Sequence, residues 1–174
     1  MATKRVILVD ENGKEVGTED KLKAHKDGGK LHSAFSIFVF NSDGKLMLQK
    51  RAKKKYHFGG LWTNTCCSHP IPDKSLLESA HIRLKEEMGF DTDLEKIFDF
   101  IYKATWENGL TEHEFDNVII GHYDEKPNPN PKEVDDWKWI DPKTLKKDIK
   151  QNPEKYSPWF KKSLPKVLDY IDKE

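Results

Sequence analysis

The chain has 174 residues, of which 36% are hydrophobic and 34% charged, and its thirty basic and thirty acidic side chains cancel. That length suits one domain with one buried core, and the balanced charge gives no footprint for nucleic acid or an anionic membrane as the main partner. No apolar run approaches the ~18 residues of a membrane span, and the N-terminus lacks a signal-peptide core. With only two cysteines and no export signal, the expectation is a cytoplasmic protein.

Val6–Asp10 reads as a strand, and Asn12-Gly13 as a turn leading back into Val16. His25–His32 contains Asp27-Gly28-Gly29 and predicts a loop. Phe35–Phe40 and Lys45–Gln49 flank Ser42-Asp43-Gly44, a hairpin pattern, and a basic run over residues 50–55 then leads to Gly59-Gly60. The clearest helix runs from Ser75 to Met88. Ser75 and Glu78 have capping-box spacing, Gly89 suits the stop, and Leu77, Leu84 and Met88 form the apolar stripe. Arg83 and Glu87 sit one turn apart on a neighbouring stripe, away from both the core and the most exposed face. Ile97–Trp106 and Glu112–Tyr123 are β-rich, Pro127–Pro131 is a loop, and Val134–Ile140 is a strand. Helices follow at Pro142–Lys150 and from Ser157, where Ser157-Pro158 supplies a cap and a first-turn proline. Strands joined by short turns and interleaved with helices predict a mixed α+β sheet with helices on its faces, not a doubly wound parallel sheet.

Two segments concentrate reactive groups. In Thr63-Asn64-Thr65-Cys66-Cys67-Ser68-His69-Pro70 the adjacent cysteines cannot close an unstrained disulfide. They are either buried packing residues or a nucleophile or base beside an imidazole. Glu112-His113-Glu114 on a strand would put both carboxylates on one face, either in water or around a cation. His25, His32 and His69 together with those carboxylates would suit a divalent ion with nitrogen and oxygen ligands. Five donors exceed the zinc tetrahedron, which leaves manganese, magnesium or a distorted zinc site open. Lys21, Arg51, Lys55 and Arg83 could bind an anion or be scattered surface charge. Trp62, Trp106, Trp159 and Tyr102 read most simply as core aromatics.

Taken together, these segments resemble the type 1 isopentenyl-diphosphate Δ-isomerases of the Nudix superfamily. The likeness rests on residues 63–70, Glu112-His113-Glu114, Arg83 with Glu87-Met88-Gly89, and Ser157-Pro158-Trp159, with His25 and His32 at the spacing that family uses for metal ligands. It covers nearly the whole chain. It implies a Nudix-type α/β/α sandwich forming a single domain over 1–174, with a core over 30–162 and residues 1–30 as an N-terminal strand and lid segment. The implied activity is the 1,3-allylic rearrangement of isopentenyl diphosphate to dimethylallyl diphosphate.

In that reading Cys67 and Glu114 transfer protons and Tyr102 assists. His25, His32, His69, Glu112 and Glu114 hold one divalent metal (Mn, Zn or Mg). Mg delivered with the diphosphate is held by Glu87 and a carbonyl near Cys67. Lys21, Arg51, Lys55 and Arg83 bind the diphosphate, and Trp62 and Trp159 line the hydrocarbon end. The rival is a Nudix hydrolase of a nucleoside or isoprenoid diphosphate. Its signature, set with the last glycine on Gly89, keeps only Glu86, Glu87 and the hydrophobic frame. Lys74 and Arg83 stand where it needs carboxylates to hold water-activating metals. Ile82 and Gly59 depart from the isomerase pattern, which has a second arginine and a proline there.

Overall fold

The computed structural model describes residues 5–55 and 57–173. The chain opens with β1 (Arg5–Val9) and β2 (Glu15–Asp20), an antiparallel hairpin. One helical turn, α1 (Lys21–Ala24), follows directly, capped by the Asp20 carboxylate, which accepts from the backbone N–H groups of Leu22 and Lys23. Asp20 ahead of four non-glycine residues is the local signal, but a single turn is too short to show periodicity.

The organising strand is β3 (His32–Phe40). Along its whole length it pairs in parallel with β8 (Thr111–His122), which pairs antiparallel with β7 (Leu94–Thr105). On its other edge β3 meets β4 (Leu46–Arg51) only at Phe40 and Leu46. The expected hairpin therefore exists but splays at once. β4 departs to pair with β9 (Val134–Ile140) and with the short β5 (Trp62–Thr63), and β6 (Cys66–Ser68) occupies the vacated edge, with Cys67 opposite Ser36.

Side chains satisfy the backbone inside the splay. The Thr65 hydroxyl accepts from Val39 N at 2.9 Å and donates to the Met47 carbonyl at 2.7 Å, while Asn64 Nδ2 donates to the Ile37 carbonyl at 3.0 Å. Buried main-chain groups demand partners, so the Thr63-Asn64-Thr65 run is structural before it is chemical.

Both faces of the sheet are buried. Phe38, Phe40, Leu48, Val118 and Ile120 pack under α3 (Pro142–Gln151) and α4 (Pro158–Asp172) through Leu145, Phe160 and Leu164. Ile37, Val39, Met47 and Ile119 pack under α2 (Leu76–Met88). Burial on two faces explains why Ala34–Phe40 is a near-continuous apolar run without polar alternation. This is the expected α/β/α layering of a mixed sheet.

Helix α2 has the complete capping box of Ser75 and Glu78, and Gly89 stops it at φ 72°. A Cβ at Gly89 would lie 2.2 Å from the Asn128 carbonyl oxygen, so glycine is required for the loop at 127–131 to approach. Three sequence expectations change here. Leu77, in the first turn, is 37% exposed; Leu76, Ala80, Leu84 and Met88 make the stripe. Arg83 and Glu87 are not at an intermediate boundary but buried, because the loop at 127–131 and β6 cover that side. Ser157 precedes α4 but makes no side-chain cap bond; its hydroxyl lies instead 2.8 Å from Thr63 Oγ1. Among the described residues, no helix is long and apolar enough to cross a membrane.

Candidate active site

Five donors converge at the ends of β3, β6 and β8. The parallel register sets His32 opposite Glu114, and the alternation of β8 turns Glu112 and Glu114 inward while His113 reaches the Gly29 carbonyl. His25 ends α1, and its carbonyl accepts from Thr111 N at 2.7 Å, stapling that turn to the start of β8. His69 follows β6. Ligating atoms of His25, His32, His69, Glu112 and Glu114 all lie within 4.8 Å of one another, and all five residues are buried.

Nε2 of His32 and of His69 lie 3.2 and 3.0 Å from Glu114 Oε2, and Nε2 of His25 lies 3.4 Å from Glu112 Oε1. Nδ1 of His25 donates to the Lys21 carbonyl at 2.6 Å and Nδ1 of His32 to the Lys30 carbonyl at 2.8 Å. These bonds fix both rings with Nε2 toward the centre, the outer support that metal-ligating histidines need. Three imidazoles and two carboxylates so oriented fit a divalent cation.

Electrostatics set the charge states. Burial opposes ionisation of Glu114, but contacts with Glu112, His32 and Tyr102 outweigh it and hold the carboxyl down at about 2. Burial pushes His69 well below the ordinary imidazole value. It works against charge on His32 too, where the Glu114 carboxylate prevails and raises the pKa. Burial and the Glu114 charge push the Tyr102 phenol up, so it stays a donor, and it donates to Glu114 Oε1.

The thiol of Cys67 lines the same cleft, a space of about 550 Å³ shared with Glu114, Tyr102 and Trp159. Its S–H donates to Asn64 Oδ1 at 3.0 Å, and Trp159 Nε1 donates to the sulfur at 3.0 Å. Both Asn64 N–H bonds go to main-chain carbonyls, of Ile37 and Cys66, so its oxygen must face the thiol. Burial pushes Cys67 up to about 12, with the Asp116 and Glu87 carboxylates adding to the shift and Arg51 opposing it. Cys66 points the other way, fully buried against Ala80 and Leu84.

All four cations expected at the site, Lys21, Arg51, Lys55 and Arg83, line the cleft. Burial and the charge of Lys55 lower the Lys21 ammonium pKa. Arg51 donates to the carbonyls of His57 and Phe58 at 3.2 and 3.1 Å and lies 5.2 Å from the Trp159 ring centre. Arg83 donates to Ser68 at 2.9 Å, Glu87 at 2.8 Å and Glu133 at 2.7 Å.

Two expected residues are placed differently. Trp62 lies among Lys138, Lys155 and Tyr156, outside this cleft, with the Lys138 ammonium 4.4 Å from its ring centre. The reason is strand alternation: Thr63 turns its hydroxyl toward Ser157 and the Cys67 sulfur, 2.8 and 3.7 Å away, and its neighbour Trp62 points the other way. Glu87 lies behind the cleft wall, with one carboxylate oxygen 2.7 Å from Gln49 Nε2 and the other held by Arg83. Ile82 is half-buried and does not line the cleft. Gly59 sits where a Cβ would come within 2.7 Å of the Lys53 carbonyl oxygen, so the loop's close packing accounts for glycine.

Sequence reasoning missed His57, Glu133, Ser36 and Asp116. His57 touches Glu112, and burial lowers its pKa to about 3. Glu133 bonds Arg83 and faces Lys55 at 3.6 Å. Ser36 donates to Asp116, a carboxyl pushed up by burial and by the Glu114 charge. Only Asp116 carried a signal, as the next inward position after Glu112 and Glu114 on β8.

Residues 30–160 match the NUDIX domain. Isopentenyl-diphosphate Delta-isomerase 2 of Aromatoleum aromaticum is 51% identical over 164 residues, covering 94% of this chain and 86% of the relative. The chain belongs to the isopentenyl-diphosphate Delta-isomerase family. A Halorhodospira halophila family member is 47% identical, covering 91% of this chain and 92% of its own length. Among solved structures, a Deinococcus radiodurans protein superposes with a TM-score of 0.70 at 20% identity, covering 85% of this chain and 90% of that one. That likeness speaks to the fold alone. Membership in the isomerase family also gives α2 its context: the two carboxylates surviving from the Nudix hydrolase signature, Glu86 and Glu87, both ion-pair with Arg83, at 3.4 and 2.8 Å.

Proposed function

We propose that this chain converts isopentenyl diphosphate to dimethylallyl diphosphate and back, with Cys67 and Glu114 as the two proton-transfer groups. The observation that carries this reading is one cleft lined by His69, Glu112 and Glu114 of the buried five-donor cluster, by the Cys67 thiol and by four cations. The alkene must gain a proton at C4, which leaves a tertiary cation at C3, and must lose one from C2 to restore the double bond. A thiol that keeps its proton and a carboxylate that has lost its own supply one donor and one acceptor. The transposition conserves that count, so the pair exchanges roles between the forward and reverse directions.

Each neighbour has a task in this scheme. The Tyr102 hydroxyl holds Glu114 Oε1 and, as a buried donor, connects the carboxyl to the substrate side. Trp159 stands between the two ends. It donates to Cys67 and packs at 6.2 Å from the Tyr102 ring, so its π face can stabilise the C3 cation, an effect worth about 2 kcal/mol when desolvated. Burial excludes the water that would quench that cation. Lys21 and Lys55, with the donors of Arg51 and Arg83 that the protein leaves over, hold the diphosphate.

His25, His32, His69, Glu112 and Glu114 would hold a divalent ion, Mn, Zn or Mg, whose charge would strengthen the Glu114 carboxyl as an acid in the direction in which it returns its proton. The Mg that accompanies the diphosphate would be held by Glu87 and a carbonyl near Cys67 once Glu87 is released from Gln49 and Arg83, which hold its two carboxylate oxygens. The partner is a small isoprenoid diphosphate and the working unit a single chain in the cytoplasm.

The test is product identity. Metal-loaded protein given isopentenyl diphosphate should yield dimethylallyl diphosphate by NMR with no free phosphate. Phosphate release without the isomer would reject this function in favour of hydrolysis, which the neutralisation of Glu86 and Glu87 by Arg83 argues against.

A further inference from the structure

His57 belongs to a loop that contributes none of the five converging donors, yet its ring is buried against them. Its Nε2 contacts Glu112 Oε1, the same oxygen that faces His25 Nε2 at 3.4 Å. Its ring centre lies 5.0 Å from that of His25. Among the described residues, the group whose ligating atoms all lie within 4.8 Å of one another excludes His57. It therefore reaches the cluster through one carboxylate and not through the common centre.

The loop holds this ring in place by contacts that need no metal. The His57 and Phe58 carbonyls accept from Arg51 at 3.2 and 3.1 Å. Phe58 adopts φ 53° and packs its ring at 5.0 Å from Trp106 and 5.4 Å from Trp159. Gly59 closes against Lys53, where a Cβ would lie 2.7 Å from the main-chain oxygen. An imidazole N–H fixed in this way selects one orientation of the carboxylate it meets.

We propose that His57 is a positioning residue for the metal centre: it aims the Glu112 carboxylate at the ion and thereby sets divalent-metal affinity. This rests on the reading of the five donors as a metal site. Because the His57 carbonyl also holds Arg51, the loop joins the metal end of the cleft to its anion-binding end.

The test compares metal-stripped full-length protein with His57→Leu, which keeps volume without a donor, His57→Gln, which keeps an N–H donor, and Glu112→Gln. Mn²⁺ affinity is measured by competition with a chromophoric chelator, and the Co²⁺ absorption spectrum reports ligand geometry. His57→Leu should weaken Mn²⁺ binding ~10- to 100-fold, the range for lost outer partners, and shift the Co²⁺ bands, while His57→Gln recovers most of the affinity. Circular dichroism and melting of the metal-free forms show whether each variant folds. If His57→Leu is unfolded, the comparison of His57→Gln with Glu112→Gln decides: near-native affinity in the first alongside weakened binding in the second supports the proposal, and equal loss in both overturns it. Unchanged affinity and spectrum in folded His57→Leu overturn it as well. So does a loss in both His57 variants as large as that of His25→Ala, which would make His57 a ligand. If Glu112→Gln itself binds like the parent, the metal-site reading fails instead.

Discussion

Cys67 and Cys66 are adjacent and chemically identical, and β6 separates them by strand alternation. Cys66 turns into the apolar layer under α2, while Cys67 turns into the cleft between Asn64 and Trp159. Cys66→Ala removes one heavy atom from a packed core and should cost on the order of 1 kcal/mol in denaturant unfolding, with turnover retained. Cys67→Ala and Glu114→Gln should each lower kcat by at least ~10³-fold with unchanged circular dichroism. The pH dependence of Cys67 follows from its raised pKa of about 12. The reactive thiolate is a minority form that grows as pH rises toward that value. Iodoacetamide labelling of Cys67, followed by mass spectrometry, should climb about tenfold per pH unit from pH 7 to 10; a plateau near pH 9 would contradict a thiol that is neutral over that range. Residue types alone did not separate the two cysteines; the family resemblance pointed to Cys67, and β6 turns that one into the cleft.

The splay between β3 and β4 is the element that makes the site, and it is also where local patterns gave least. A two-strand hairpin was legible from Ser42-Asp43-Gly44, and Ser75, Glu78 and Gly89 located α2 to within a residue. Nothing local announced that β4 would leave β3 after one residue pair, or that three residues around Cys67 would fill the gap as β6. Those pairings join positions about thirty residues apart, beyond the reach of periodicity. Thr65 bridges the gap with one hydroxyl, so Thr65→Val leaves a buried N–H on Val39 and a buried carbonyl on Met47 without that partner. At 1–3 kcal/mol for each of the two stranded groups, chemical denaturation should show a loss of roughly 2–6 kcal/mol, above the Cys66→Ala cost. Equal losses in the two variants would mean that the hydroxyl bridge contributes little.

At the scale of the whole molecule, the five donors come from four separate segments, and β3 and β8 bring them together through a parallel register. Parallel pairing cannot be inferred from either strand alone, so the cluster was a list of candidate ligands until the fold assembled it. Two buried carboxylates amid three imidazoles are a poor arrangement without a cation, so a divalent ion bound there would add to folding stability. A ligand that binds only the native state stabilises by ~2.7 kcal/mol at a hundred times its dissociation constant. Chelation should therefore lower the melting temperature, and restoring Mn²⁺ should raise it. Glu112→Gln should abolish most of that rise.

If protons enter and leave the substrate from two different groups lining one cleft, solvent labelling reads it directly. Metal-loaded protein is incubated with isopentenyl diphosphate in deuterated water, and the first turnovers are followed by NMR. The account predicts dimethylallyl diphosphate carrying one deuterium in a methyl group, with no phosphate released and no labelled product from Cys67→Ala or Glu114→Gln. Product formed without solvent deuterium would mean that a single group carries the same proton across the allyl unit, and would contradict it.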